Sequence, residues 1–112
     1  MKLSFIFFLL SALSTLNATE LDCKILHNME PVFYSEVSTT ENTKILIGSA
    51  EGIIASITEK KNNIFILEAY LADYDVRGYS EGLLNKEKDK LTFTLWGRAS
   101  LAEVSCALSH KK

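Results

Sequence analysis

The chain has 112 residues, with 12 Lys and Arg against 14 Asp and Glu, two cysteines and a formal net charge of −2. That length suits one domain rather than two, and the mild acidity supplies no basic patch or stripe of the kind that nucleic acid requires. Lys60-Lys61 and Lys111-Lys112 read as a solvated turn and a solvated end, not as a juxtamembrane polybasic segment.

Met1-Lys2 forms a minimal basic start, and an apolar run from Leu3 to Leu16 follows, broken by Ser4, Ser11, Ala12, Ser14 and Thr15. The run falls short of the roughly 20 apolar residues that cross a bilayer and has the length and flanks of a signal-peptide core. Leu16-Asn17-Ala18 offers cleavage after Ala18, although Leu16 is larger than the small residue preferred three places before the cut. A lipid anchor is excluded, because Cys23 follows Glu20-Leu21-Asp22 where that signal needs small residues. The expected organisation is therefore a signal peptide over 1–18 and a single β-rich domain over 19–112, with no membrane span in the mature chain. Loss of Lys2 leaves 11 cations against 14 acids, a net charge of −3. Such a protein works in the periplasm or is secreted.

From there on, apolar residues recur with period two, the mark of half-buried strands. Leu21, Cys23 and Ile25 share one phase; Phe33, Ser35 and Val37 share the next, after Pro31, which suits a strand's beginning. Ile45 and Ile47 precede Gly48, and Ile53, Ala55 and Ile57 follow Gly52. Phe65, Leu67, Ala69 and Leu71 form the strongest run. Leu91, Phe93 and Leu95 make another, and Ala102, Val104, Cys106 and Leu108 the last. Lys60-Lys61-Asn62-Asn63 reads as a hairpin link, because Asn tolerates positive φ. Gly97-Arg98-Ala99-Ser100 turns the penultimate strand into the final one, and Asn85 to Lys90 is a charged loop or one short helical turn. The prediction is an all-β fold, a small antiparallel sandwich or barrel of about seven strands.

Cys23 and Cys106 each lie on the apolar phase of a strand, one near the beginning and one near the end of the folded part. In the oxidising compartment implied by export they pair, placing the first and last strands side by side with the bridge inside.

Tyr70 to Gly82 is the most suggestive segment for function and reads as a polar loop. Asp73, Asp75 and Glu81 stand near Gly78, among Tyr70, Tyr74 and Tyr79. Asp-x-Asp-x-x-Gly opens an EF-hand calcium loop, but Arg77 occupies a ligand position and Leu84 the place of the bidentate Glu. Arg77 is instead expected to pair with Asp75 or Glu81. No metal ligand set or cofactor is assigned. His27 and His110, the only histidines, lie towards the two ends of the folded part and lack further ligands. Trp96 falls on the opposite phase from Leu91, Phe93 and Leu95, so it is expected to face outward, where large aromatics carry much of an interface's energy. No nucleophile elbow or Gly-rich phosphate loop is present, so no catalytic residue is named.

In size and end-bridging disulfide the chain resembles small periplasmic inhibitor and binding domains, including the lysozyme-inhibitor type of β-barrel. Their Ser-Gly-x-x-Tyr loop pattern is not in this sequence, where Arg77-Gly78-Tyr79 stands instead, and no residue role is carried over. The expectation is an exported, non-enzymatic module that binds a protein or glycan through Trp96, Tyr70, Tyr74, Tyr79, Asp73, Asp75 and Arg77. A calcium-stabilised envelope component is the alternative, and a small hydrolase comes third.

Overall fold

A computed structural model describes residues 18–97 and 100–109, so the signal-peptide expectation, apart from Ala18, lies outside the described residues. Eight strands follow one another: β1 Thr19–His27, β2 Glu30–Thr39, β3 Lys44–Ala50, β4 Ile53–Glu59, β5 Ile64–Leu71, β6 Val76–Leu83, β7 Lys90–Trp96 and β8 Leu101–Leu108. They form two four-stranded antiparallel sheets, ordered β2-β1-β8-β7 and β3-β4-β5-β6. Edge strand β2 packs beside β3, and β6 beside β7, so the chain winds once round a shared core. These two seams carry no backbone ladder.

The period-two reading holds strand by strand. Leu21, Cys23, Ile25, Val37, Ile47, Ile53, Ala55, Ile57, Phe65, Leu67, Ala69, Leu71, Leu91, Ala102, Val104 and Cys106 form one buried cluster. Leu84, just past β6, is buried with them, and its N–H donates to the Asn63 carbonyl at 3.0 Å. The position that a calcium loop would fill with Glu is thus a core plug. Asn62 and Asn63 both adopt positive φ in the β4–β5 link, as their side chains permit.

Cys23 and Cys106 face each other directly across the β1–β8 ladder and are joined in a disulfide. It is fully buried, so the bridge locks the closure of the ring from within.

The strand count exceeds expectation by one, because Val76–Leu83 is a strand rather than part of a loop. Its inward phase is Gly78, Ser80 and Gly82, which carry no hydrophobic signal, while Arg77, Tyr79, Glu81 and Leu83 face outward. The missing volume comes from across the seam. A Cβ on Gly78 would meet the Phe93 ring at 2.4 Å, and one on Gly82 would meet Leu91 at 3.0 Å. At the opposite seam the Phe33 ring covers Gly48 in the same way, at 2.2 Å, and the Ser35 hydroxyl donates to the Ile47 carbonyl at 3.1 Å. Small inward residues let one aromatic ring serve both sheets where the backbones do not pair.

Candidate functional site

Because neighbouring strands alternate in direction, the connections 28–29, 51–52 and 72–75 gather at one end with Gly97 and Ser100. They are tied together. The Asn28 N–H donates to the Leu101 carbonyl at 2.8 Å, and the Leu101 N–H returns a bond to Asn28 Oδ1 at 2.9 Å. The Ala72 N–H donates to the Gly52 carbonyl at 2.8 Å, and the Ser100 hydroxyl donates to Tyr74 Oη at 3.4 Å. His27 Nδ1 bonds Glu51 Oε1, linking β1 to the β3–β4 turn.

Trp96 ends β7 at this rim and is 76% exposed, so it faces outward as its phase predicts. With Tyr74, Val76, Leu71, Leu95 and Gly97 it borders an apolar hollow of about 300 Å³ at the mouth of the β6–β7 seam. Tyr74 and Val76 are likewise exposed. Asp73 and Asp75 flank Tyr74 in the same turn, where Asp75 takes a positive φ that a short acidic side chain tolerates.

The predicted binding residues fall into two groups. Trp96, Tyr74, Asp73 and Asp75 meet at the rim. Tyr70, Arg77 and Tyr79 lie on the outer face of the β3-β4-β5-β6 sheet, where Tyr70 is directly paired with Arg77, and Glu68 with Tyr79. One contact joins the groups: the Tyr70 hydroxyl donates to Asp75 Oδ1 at 2.9 Å. That bond, followed by the charge of Asp75, holds the phenol pKa above its ordinary value.

Arg77 corrects the sequence reading. It forms no ion pair with Asp75 or Glu81; its guanidinium lies over the Tyr70 ring, 5.1 Å from the centroid. Strand β6 explains this, since it sets Arg77 opposite Tyr70 and carries Glu81 opposite Ile66. Asp75 and Glu81 are therefore about 20 Å apart along an extended chain and cannot ligate one ion together. Among the described residues no three His, Cys, Asp or Glu side chains converge on a metal position. His110 lies outside the described residues.

His27, Glu51, Asp73, Tyr74 and Ser100 line a crevice beside the hollow. The set has the residue types of a hydrolase, but Ser100 spends its hydroxyl on Tyr74 rather than on His27. The crevice, about 20 Å³, has room for little more than a water.

Two residues escaped the sequence reading. Leu46 and Ile54 point outward from β3 and β4 beside Tyr70, and Leu46 is 63% exposed. The signal was present: each is a large aliphatic on the phase opposite its strand's core residues. Comparison with protein-family models, curated proteins and solved structures finds no match to this chain.

Proposed function

We propose that the protein is an exported, non-enzymatic binding module that engages a protein or glycan through the rim at one end of its two-sheet fold, with Trp96 and Tyr74 as anchors. The observation that carries this reading is the exposure of Trp96 over an apolar hollow, on a strand whose core-facing residues complete the fold without it. Aromatic anchors in such settings concentrate binding energy, and a flat indole also stacks on a sugar ring. Asp73, in the same turn as Tyr74, lines the adjoining crevice, where its carboxylate can accept hydrogen bonds from ligand hydroxyl or amino groups. The buried Cys23–Cys106 disulfide accords with an oxidising compartment, and the apolar Leu3–Leu16 run supplies the export signal.

The test is capture of partners from envelope and culture extracts by the oxidised protein, alongside glycan-array binding, with wild type compared against Trp96→Ala. The reading requires a retained ligand that the variant loses while its melting curve stays unchanged. Equal retention by both proteins removes the rim from the function.

A further inference from the structure

The outer face of the β3-β4-β5-β6 sheet has an organisation that the rim does not use. Three cross-strand rows traverse it: Ser49, Ile54, Tyr70 and Arg77; then Leu46, Ser56, Glu68 and Tyr79; then Lys44, Thr58, Ile66 and Glu81. Ser56 is the small residue in the middle. Around it Leu46, Ile54 and Tyr70 stand higher, with Lys44, Glu68 and Arg77 at the border, enclosing a hollow of about 530 Å³. Tyr79, 68% exposed, and Leu83, 58% exposed, extend the apolar character along β6.

The charges at this border are not equivalent. Lys44 Nζ lies 3.2 Å from Glu68 Oε1, so these two offset each other. Arg77 forms no ion pair among the described residues, and its guanidinium lies over the Tyr70 ring, 5.1 Å from the centroid. Tyr70 is itself anchored by its bond to Asp75. The result is one cation without an ion pair beside an aliphatic depression, on a chain whose overall charge is negative.

We infer that this face docks an extended protein segment, in which an apolar side chain fills the hollow over Ser56 and a neighbouring carboxylate takes the Arg77 fork. Charge complementarity selects this occupant. A guanidinium without an ion pair recognises a carboxylate in two-point geometry. Aliphatic Leu46 and Ile54 offer nothing to a sugar's hydroxyls, and the Tyr70 ring face that a sugar would stack on is already covered by Arg77. An anionic membrane surface needs a cluster of cations, whereas here Lys44 is offset by Glu68 and Arg77 stands as a single cation.

The probe is a short capped peptide, Gly-Glu-Leu-Glu-Gly, titrated into the isotope-labelled oxidised protein and followed by amide chemical shifts. Shifts centred on Leu46, Ile54, Ser56 and Arg77 are expected. Binding falls about tenfold for Arg77→Gln, the loss of one charged hydrogen-bonding partner. It falls similarly when the two Glu of the peptide become Lys or its Leu becomes Ser. Trp96→Ala leaves this binding unchanged, so the result stands apart from the rim. No shifts on this face with the peptide at millimolar concentration would falsify the inference. Equal affinity for the Glu and Lys peptides, for the Leu and Ser peptides, or for wild type and Arg77→Gln overturns it as well. The melting curve of Arg77→Gln separates lost recognition from lost folding.

Discussion

The Phe93 ring occupies the space that a side chain on Gly78 would need, reaching within 2.4 Å of where a Cβ would stand. Phe33 and Gly48 repeat the relationship at the other seam. Both rings pack against the buried cluster. Where the two sheets meet without backbone ladders, these ring-on-glycine contacts join them, together with the Ser35–Ile47 hydrogen bond at the β2–β3 seam.

Gly78→Ala is therefore destabilising. Alanine in a strand is ordinarily favoured over glycine by about 0.5–1 kcal/mol, but here the overpacking costs about 1–3 kcal/mol. Urea denaturation reads the sign. Combining it with Phe93→Leu recovers part of the loss, because the two residues share one volume.

Removing the disulfide by Cys23→Ala with Cys106→Ala costs about 4–5 kcal/mol in the chain-entropy account, since the closed loop spans nearly the whole folded part. That approaches the stability of a domain this size, about 5–10 kcal/mol. The double variant is expected to be largely unfolded at 37 °C by circular dichroism.

Much of this fold was legible because strands with one buried face advertise it. The phases of Leu21-Cys23-Ile25 and Phe65-Leu67-Ala69-Leu71 predicted their buried sides, and the phases of Cys23 and Cys106 predicted an internal bridge. Strand β6 was not legible, because its inward positions are glycine and serine and their partners, Phe93 and Leu91, arrive from another sheet. The same oversight turned a strand into a loop and grouped Asp75 with Glu81. At the site, Trp96 was readable from its phase, whereas the separation of Tyr70 and Arg77 from Tyr74 and Trp96 depends on where the hairpin turns.

Trp96→Ala is expected to change stability by no more than about 0.5 kcal/mol, as for surface positions generally. Leu84→Ala, by contrast, empties a buried site and costs about 2–5 kcal/mol. Thermal melts of the two variants test the assignment of one to recognition and the other to the core.

Asp89 accepts the backbone N–H groups of Lys86 at 2.8 Å and Asn85 at 2.9 Å, and these bonds hold its carboxyl below the ordinary Asp value. A depressed acid contributes its stability above the unfolded pKa and loses it as pH falls through the folded one. Amide exchange at Asn85 and Lys86 should therefore speed up relative to neighbouring amides at acidic pH, and Asp89→Asn should remove that pH dependence.

Tyr70 behaves in the opposite sense. Its pKa is raised by the bond to Asp75, so its contribution is present below the ordinary tyrosine value and lost as pH climbs through the raised one. Phenolate absorbance in the wild type should therefore include one late-titrating tyrosine. Asp75→Asn, which removes the neighbouring charge, should bring that titration back down.

The most direct measurement compares wild type with Trp96→Ala, both oxidised and both shown folded, in capture from envelope and culture extracts and on a glycan array. The account predicts one ligand retained stoichiometrically by the wild type and lost by the variant. Retention of the same ligand by both, at equal affinity, would contradict it.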